Sequence, residues 1–192
     1  FSGFEDQALA AGDTLEYIVD NEDAGFELLT VENTSSLRIF LLDLFDKEEK
    51  KEPYVGLRSW NPPGSWKATT DHRLYGRFVR SSYYKTSGEG LSRVAWNPAV
   101  GAEGDYEVYF FCGLLDDLRN RERGARGEQT VHFLVYHEDG IDDLQIDRPD
   151  LQQGWNLLGT YHLAAGPARV ELTDRSTSRI VVADAVKWVK SD

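Results

Sequence analysis

Aromatic side chains around one Pro/Gly-rich loop are the residues best suited to hold a ligand. Trp60 and Trp66 flank the loop sequence "NPPGS", and Tyr83 and Tyr84 follow at the end of an alternating run. Flat rings stack on the C–H faces of sugars, while nearby amides, carboxylates and arginines bond the sugar hydroxyl groups. We therefore predict a carbohydrate site at these four residues. Alternatively, the two tryptophans cover the apolar face of a neighbouring helix.

A short acidic turn is the second candidate site. Asp20, Asn21 and Asp23 belong to "DNED" and present several oxygen atoms at close spacing. Hard oxygen ligands of this kind suit Ca²⁺, so we predict a structural calcium ion there and no other cofactor. The spacing lacks the glycine and the terminal glutamate of an EF-hand loop. Alternatively, Asp20 and Asn21 accept hydrogen bonds from nearby backbone N–H groups within a turn.

Motifs for catalysis are missing from the sequence. The four histidines are scattered, there is no HExxH, and one cysteine cannot build a zinc site. The sequence has no G-x-S-x-G, no GxGxxG and no P-loop. Residue types of a polysaccharide lyase do occur in "YGRFVRSSYY", but alternation would place Arg77 and Tyr83 on one face. Arg80 and Tyr84 would lie on the other face, so we predict no catalytic residues.

Two other tryptophans and one acid lie inside apolar runs. Trp155 opens "WNLLGTYHL", where strand alternation would place Tyr161 on the same face. Trp188 lies in "AVKWVK". Both tryptophans are more typical of core or rim packing than of a ring held out for a ligand. Asp184 interrupts an apolar strand, where we expect an edge position or a backbone hydrogen-bond partner.

Composition excludes several classes of partner. The 192-residue chain carries a formal net charge of −12. Such a surface repels phosphate backbones, so nucleic acid is not an expected partner. No apolar run approaches the roughly 20 residues of a membrane-spanning helix, so no transmembrane segment is predicted. The sequence has no methionine and begins at Phe1, which we interpret as a piece of a longer protein.

Short alternating runs separated by turn residues dominate the chain. They predict an all-β fold, an antiparallel β-sandwich of the jelly-roll type, with one strand expected at Gly76–Tyr84. Apolar residues spaced three and four apart predict one inserted α-helix at about 35–52. Since no repeat or linker is visible, we predict a single domain at 15–192 after a lead-in segment at 1–14.

Eight motifs occur in an order that resembles a known family. They are "DNEDAGF", "PGSW", "YGRFVRSSYY", "VAWNP", "GDYEVYFF", "TVHFLVYHEDG", "QGWNLLGTYHLAAGPARVELTD" and "VVADAVKWVK". Together they resemble the golvesin-type domain, which is similar to carbohydrate-binding modules. That domain recurs in secreted bacterial proteins, including Bacteroidetes chains labelled as xanthan lyases or FAD-dependent oxidoreductases. The resemblance covers about Leu15 to Lys190 and implies a jelly-roll β-sandwich of the galactose-binding-like kind.

The resemblance also implies a role. We expect a non-catalytic accessory module of a secreted bacterial glycan-processing protein, located outside the cell, on its surface or in the periplasm. The expected partners are a polysaccharide and other domains of the same parent chain. One alternative is a structural or interaction module that packs on a neighbouring catalytic domain. A polysaccharide lyase of the xanthan type is the less favoured alternative.

Overall fold

The structure, a computed structural model of the 192-residue chain, describes residues 15–30, 54–58, 61–113 and 130–191. These ranges hold fourteen β-strands and one short 3-10 turn at Arg148–Asp150. All extended strand pairings among them are antiparallel, so the all-β prediction is confirmed. The predicted helix at about 35–52 and the lead-in segment at 1–14 lie outside the described residues.

Two sheets face each other across one apolar core. The first has four strands in the order β1 (Glu16–Val19), β14 (Val186–Lys190), β7 (Gly104–Cys112) and β10 (Gly154–Leu163). The second has five strands in the order β2 (Phe26–Thr30), β5 (Ser92–Trp96), β12 (Arg169–Thr173), β8 (Thr130–His137) and β9 (Gly140–Asp147). Successive side chains of a strand face opposite sides, so alternate residues of both sheets point into this core.

Two smaller sheets complete the described part of the fold. One has the strand order β13 (Ile180–Ala183), β4 (Ser81–Thr86) and β3 (Lys67–Thr70), and the other pairs β6 (Ala99–Val100) with β11 (Gly166–Pro167). Side chains of β13 belong to the same apolar cluster as the two main sheets, so the three-stranded sheet extends that core. No helix in the described ranges has the length and apolarity needed to cross a membrane.

Large side chains from both main sheets fill the core. Phe110 of β7 meets Phe133 of β8 with ring centroids 4.6 Å apart. Trp96 and Trp188 are fully buried, and the Trp96 indole donates a hydrogen bond to the backbone carbonyl of Asp184 at 3.1 Å. Burying one large apolar side chain stabilises the fold by roughly 1.5–3 kcal/mol. The expected packing role of Trp188 is confirmed.

A bulge in β10 changes which of its side chains face the core. Trp155 pairs with Phe111 of β7, but the register shifts between Leu157 and Gly159. A shift of one residue exchanges the two faces of a strand. Tyr161 therefore points into the core, whereas Trp155 lies half-buried on the outer face of the four-stranded sheet. The alternation that would place both residues on one face is wrong for this reason.

The strand predicted at Gly76–Tyr84 is correct only from Ser81, where β4 begins. The preceding residues form a loop at 71–80 that folds back on itself. Gly76 has a φ of +149°, and a Cβ atom there would lie 1.8 Å from the carbonyl oxygen of Val79. Since only glycine allows this close approach, the alternation in "GRFVR" does not correspond to an extended strand.

The apolar run "IVVADAVKWV" is two strands in different sheets. β13 ends at Ala183, and β14 begins at Val186. Asp184 lies buried in the break, and its Oδ2 atom accepts the backbone N–H of Tyr75 at 3.2 Å. The expected role of Asp184 as a backbone hydrogen-bond partner is confirmed. This bond ties the loop at 71–80 to the centre of the fold.

A buried ion pair holds the segment that follows β4 in place. Lys85 and Asp174 are both buried, and the Lys85 ammonium contacts Asp174 Oδ2. The other carboxylate oxygen accepts the backbone N–H of Gly90 at 2.7 Å. The same ammonium lies 5.9 Å from the centroid of the Trp66 ring. Each charge is removed from water and depends on the other for compensation.

Removing one member of this pair should destabilise the fold strongly. Asp174→Ala leaves the Lys85 charge buried and unpaired and frees the Gly90 N–H. We expect the free energy of unfolding to fall by about 3–5 kcal/mol, measured by urea unfolding. Asp139→Ala changes an exposed aspartate in the turn between β8 and β9 and should alter stability by less than about 0.5 kcal/mol. Small, equal effects of the two substitutions would contradict the role given to the pair.

Candidate functional site

Two of the four rings predicted to hold a ligand are buried. Tyr84 is 1% exposed, and its hydroxyl donates to the Gly56 carbonyl at 3.1 Å and accepts the Arg58 N–H at 3.2 Å. Trp66 is 8% exposed and belongs to the main core cluster. Both rings are therefore packed inside the fold, which removes them from the ligand platform predicted at the four aromatic residues. The chain at 54–58 lies against β3 and β4 and covers Tyr84.

The other two predicted rings do not complete a ligand platform in the described part of the chain. Tyr83 is half-buried, and its ring stacks on Phe26 with centroids 5.3 Å apart. Trp60 lies outside the described residues. A carbohydrate contact at Trp60 or Tyr83 stays a prediction from the sequence.

The acidic turn between β1 and β2 is held by its own side chains. Asp20 Oδ1 accepts the N–H of Asn21 at 2.7 Å, and Asp23 Oδ2 accepts the N–H of Asp20 at 2.8 Å. Asn21 Nδ2 donates to Ser81 Oγ at 2.8 Å and thereby joins the turn to β4. Asp20 therefore accepts a backbone N–H as the turn alternative expects, whereas Asn21 donates to Ser81 and its Oδ1 atom accepts no hydrogen bond among the described groups.

Among the residues that the structure describes, no three His, Cys, Asp or Glu side chains are grouped so that they could hold a metal ion. A calcium ion at Asp20, Asn21 and Asp23 stays a prediction from the sequence.

A cleft of about 270 Å³ opens beside the acidic turn. Its walls are β1, the turn and the loop at 71–80. Tyr17 and Val19 of β1 pack against the core, so the alternate residues of that strand face outward into the cleft. The lining combines three carboxylates, one guanidinium, one phenol ring and two apolar positions. The residues are Glu16, Ile18, Asp20, Asp23, Tyr75, Gly76 and Arg77.

An aromatic patch borders the cleft on the outer face of the four-stranded sheet. It consists of Tyr75, Phe111 and Trp155, all half-buried. The Trp155 ring centroid lies 5.1 Å from that of Phe111 and 5.2 Å from that of Tyr75, at interplanar angles of 79° and 62°. These edge-to-face contacts are favourable for aromatic pairs. Because Tyr75 also lines the cleft, the cleft and the aromatic patch form one continuous surface.

The sequence of the residues that form most of this surface identifies the family of the chain. Residues 55–190 match the sequence model of the Golvesin C-terminal domain. The chain belongs to this family. The resemblance drawn from the order of the motifs is thereby confirmed. The matched region of the golvesin domain includes the loop at 71–80 and the whole aromatic patch, while β1 and the acidic turn precede it.

Several solved structures are similar to the golvesin domain. A Paenibacillus xanthan lyase shares 26% sequence identity with a TM-score of 0.59 over 92% of this chain, which spans 13% of that enzyme. A Podospora anserina GH26-CBM35 β-(1,4)-mannanase has 12% identity and a TM-score of 0.44, covering 65% of this chain and 25% of that one. A CBM35 from Cellvibrio japonicus Abf62 has 13% identity and a TM-score of 0.39, and the match covers 69% of this chain and 88% of that one. No curated protein matches the chain.

Lys187 of the golvesin domain connects the aromatic patch to the cleft. Its Nζ atom lies 4.9 Å from the centroid of the Trp155 ring and 5.1 Å from that of Tyr109. A cation at these distances is attracted to the ring faces. The same ammonium contacts Glu16 Oε1 at 3.2 Å. Lys187 therefore supports the Trp155 ring and compensates the charge of Glu16.

Carboxylates dominate the electrostatics of the cleft. Burial is the main reason why the pKa of Asp20 is raised to about 7, and neighbouring carboxylates add to the effect. The pKa of the Tyr75 hydroxyl is raised as well, first by burial and then by the three lining carboxylates, while Arg77 opposes them. Below about pH 7 a protonated Asp20 can donate a hydrogen bond as well as accept one.

Sequence reasoning placed the ligand site at the Pro/Gly loop and did not single out this surface. The positions of Tyr75 and Arg77 depend on the backbone turn at Gly76, and the outward position of Trp155 depends on the bulge in β10. One signal was readable from the sequence. Alternation in "DYEVYFF" places Phe111 on the polar face of β7, together with Glu107. An aromatic residue on a polar face is a reason to look for a partner there.

Asp20→Asn should make the golvesin domain more stable at alkaline pH. Folded Asp20 keeps its proton up to about pH 7, whereas the usual pKa is 3.8. The folded state therefore binds more protons between these values, and this residue's contribution to stability is lost as the pH rises through them. The amide cannot ionise, and its Oδ1 atom can still accept the Asn21 N–H, so the substitution removes this loss.

Urea unfolding at about pH 4 and about pH 8 measures the effect. The two proteins should agree at the lower pH. At the higher pH Asp20→Asn should be more stable by up to about 4 kcal/mol, since one pKa unit corresponds to about 1.4 kcal/mol. Asp139→Asn changes an exposed aspartate and should leave the pH dependence as in the wild type. If Asp20→Asn also declines like the wild type, Asp20 does not carry this pH dependence.

Proposed function

We propose that the golvesin domain is a non-catalytic module that binds a polysaccharide on behalf of a longer glycan-processing protein. The observation that carries the proposal is the continuity of the cleft with the aromatic patch through Tyr75. A sugar needs apolar ring surface for its C–H groups and polar groups for its hydroxyls. Trp155 and Phe111 offer the first, and Asp20 and Arg77 offer the second.

The size of the cleft suits one sugar unit. Its volume of about 270 Å³ is close to the lower end of small-molecule pockets, roughly 300–1,000 Å³. A second contact is available from Phe78, which is 93% exposed on the loop that carries Arg77. The base of this loop is closed by a hydrogen bond of 3.2 Å from the Asp71 N–H to the Arg80 carbonyl. An ordered loop that displays a bare ring loses little entropy on binding.

A site of this size gives modest affinity by itself. Attachment to a catalytic domain makes such a site effective, because the tether keeps the polymer at a high local concentration. The likeness to a Paenibacillus xanthan lyase, of which the chain spans 13%, supports a place beside a polysaccharide-degrading domain. We accordingly propose that the domain works outside the cell, on the cell surface or in the periplasm, where such polymers are encountered.

Only part of the residue set of a lyase lies at the cleft, where Tyr75 and Arg77 are lining residues. Arg80 instead contacts the His72 carbonyl, and Tyr83 stacks on Phe26. Incubating the domain with xanthan and with uronic-acid polymers, and following the absorbance of unsaturated products, tests this alternative. Steady product formation would overturn the non-catalytic proposal.

A network of tyrosine, arginine and glutamate does occur on the outer face of the five-stranded sheet. Buried Glu171 accepts hydrogen bonds from Tyr136 at 3.0 Å, Arg169 at 2.7 Å and Arg93 at 3.2 Å. These bonds lower the pKa of Glu171 against the opposing effect of its burial. The arginines are already compensated by Glu171, so the network is suited to holding three strands together.

Phe78 also favours a second function, packing against a neighbouring domain of the parent chain. Together with Val79 it forms an exposed apolar tip on the loop, and such tips are common at protein interfaces. Phe78→Ser distinguishes the two functions. A loss of glycan affinity places Phe78 in the sugar site. Unchanged glycan affinity, with weaker docking to the adjacent domain supplied separately, favours the packing function.

Substitutions at the cleft should weaken glycan binding while a matched surface substitution does not. Glycan-array screening identifies a ligand, and isothermal titration calorimetry then compares variants. Arg77→Ala changes an exposed side chain and should lower affinity about tenfold through loss of charge-assisted hydrogen bonds. Trp155→Ala should lower it at least as much. Ile141→Ala, at an exposed apolar residue of β9, should leave affinity unchanged.

Two results would count against this location. An array without any bound glycan would favour the packing function. Binding that survives Arg77→Ala and Trp155→Ala but is lost in Trp60→Ala would move the site to the Pro/Gly loop.

A further inference from the structure

One row of side chains continues from the cleft across the outer face of the four-stranded sheet. The strand registers pair Ile18 with Lys187, Lys187 with Tyr109 and Tyr109 with Leu157, so the row crosses all four strands. Residues before and after these positions in β1, β14 and β7 pack in the core, so the row faces outward. It begins in the cleft, which Ile18 lines, and ends on the edge strand β10.

This row is more apolar than the outer face of a sheet usually is. Ile18 and Leu157 are exposed, and Tyr109 is half-buried. The next row of the same face holds Phe111 and Trp155 of the aromatic patch. The solvated face of an antiparallel sheet is normally polar, and adjoining exposed apolar side chains mark a binding surface. The surface available to a ligand therefore extends beyond the cleft.

Polar groups lie among these apolar side chains. The Lys187 ammonium has three N–H donors and gives one to Glu16 Oε1 at 3.2 Å, so it can also donate to a ligand. The Tyr109 hydroxyl donates to Glu107 Oε2 at 2.6 Å and can still accept a hydrogen bond. Apolar surface beside donors and acceptors is what a sugar unit needs for its C–H groups and hydroxyls.

The width of the sheet limits the length of the ligand. Neighbouring strands lie about 4.8 Å apart, so β1 and β10 are separated by about 14 Å, roughly the length of three linked sugar units. We propose that Tyr109 and Leu157 form further sugar subsites, so that the ligand is a linear stretch of glycan with one unit in the cleft and the next units across the sheet. This inference rests on the proposed function.

A series of ligands of increasing length measures the extent of the site. Glucose and β-1,4-linked glucose oligomers of two to six units are titrated and followed by NMR chemical shifts, which also detect weak binding. The same series is prepared for any other backbone that the array identifies. We expect affinity to rise by about tenfold or more between one and three units and then to level off, because further units extend past β10.

Leu157→Ala and Ile141→Ala are a matched pair, since these residues are 52% and 56% exposed on different sheets. Leu157→Ala should lower the affinity for three or more units severalfold and leave that for one unit unchanged. Ile141→Ala should change neither. Tyr109→Ala should act as Leu157→Ala does, and Leu157→Ala carries the test if loss of the half-buried ring prevents folding. Arg77→Ala should weaken binding at every length, because Arg77 lines the cleft.

Failure of the subsites is distinguishable from failure of the proposed function. Equal affinity for one unit and for six would overturn the subsites and leave the proposed function standing. A length dependence that is the same in the wild type, Leu157→Ala and Tyr109→Ala would also overturn them. Absence of binding to every length and every array class would overturn the proposed function, and the subsites with it.

Discussion

Asp184 and Ala185, in the break between β13 and β14, form the constraint on which the candidate site depends. The Asp184 carbonyl accepts the Trp96 indole in the core, and the Ala185 carbonyl accepts the Phe111 N–H at 2.8 Å. The Asp184 carboxyl group accepts the Tyr75 N–H. Two adjacent residues thus fix two of the three rings of the aromatic patch to the same point of the core. A buried carboxyl group can occupy that point because its raised pKa favours the uncharged form.

Much of the fold could be predicted because it depends on local alternation. β7, β8 and β12 follow the expected alternation, with apolar or aromatic residues inward and mostly polar residues outward. The bulge in β10 could not be read from its sequence, since a shifted register satisfies alternation on either side of the shift. The fold-back at Gly76 depends on a contact with the Val79 carbonyl, and nothing in "YGRFVR" distinguishes that contact from a strand.

The site was harder to predict than the fold because the exposure of an aromatic ring depends on tertiary packing. A loop tryptophan is a reasonable candidate for a ligand contact, but Trp66 is covered by the core cluster, near the buried pair of Lys85 and Asp174. Tyr84 is buried because its hydroxyl finds two backbone partners in the chain at 54–58. In contrast, Trp155 is only half-buried. The one-residue bulge in β10 places it on the outer face of the sheet, whereas Tyr161, after the bulge, faces the core. The same residue type thus has opposite surroundings at two positions, and only long-range packing decides between them.

The carboxyl group of Asp20 is difficult to explain by the fold alone. Its hydrogen bond to the Asn21 N–H needs only an acceptor oxygen, which asparagine would supply without the cost of removing a charge from water. Burial raises the pKa of Asp20 to about 7, so ionising this group in the folded protein is unfavourable up to neutral pH. Groups that weaken a fold without adding a contact are more typical of functional surfaces than of structural ones. The carboxyl group of Asp20, rather than the turn that it stabilises, is therefore the feature of the cleft that the proposed ligand site explains and the fold does not.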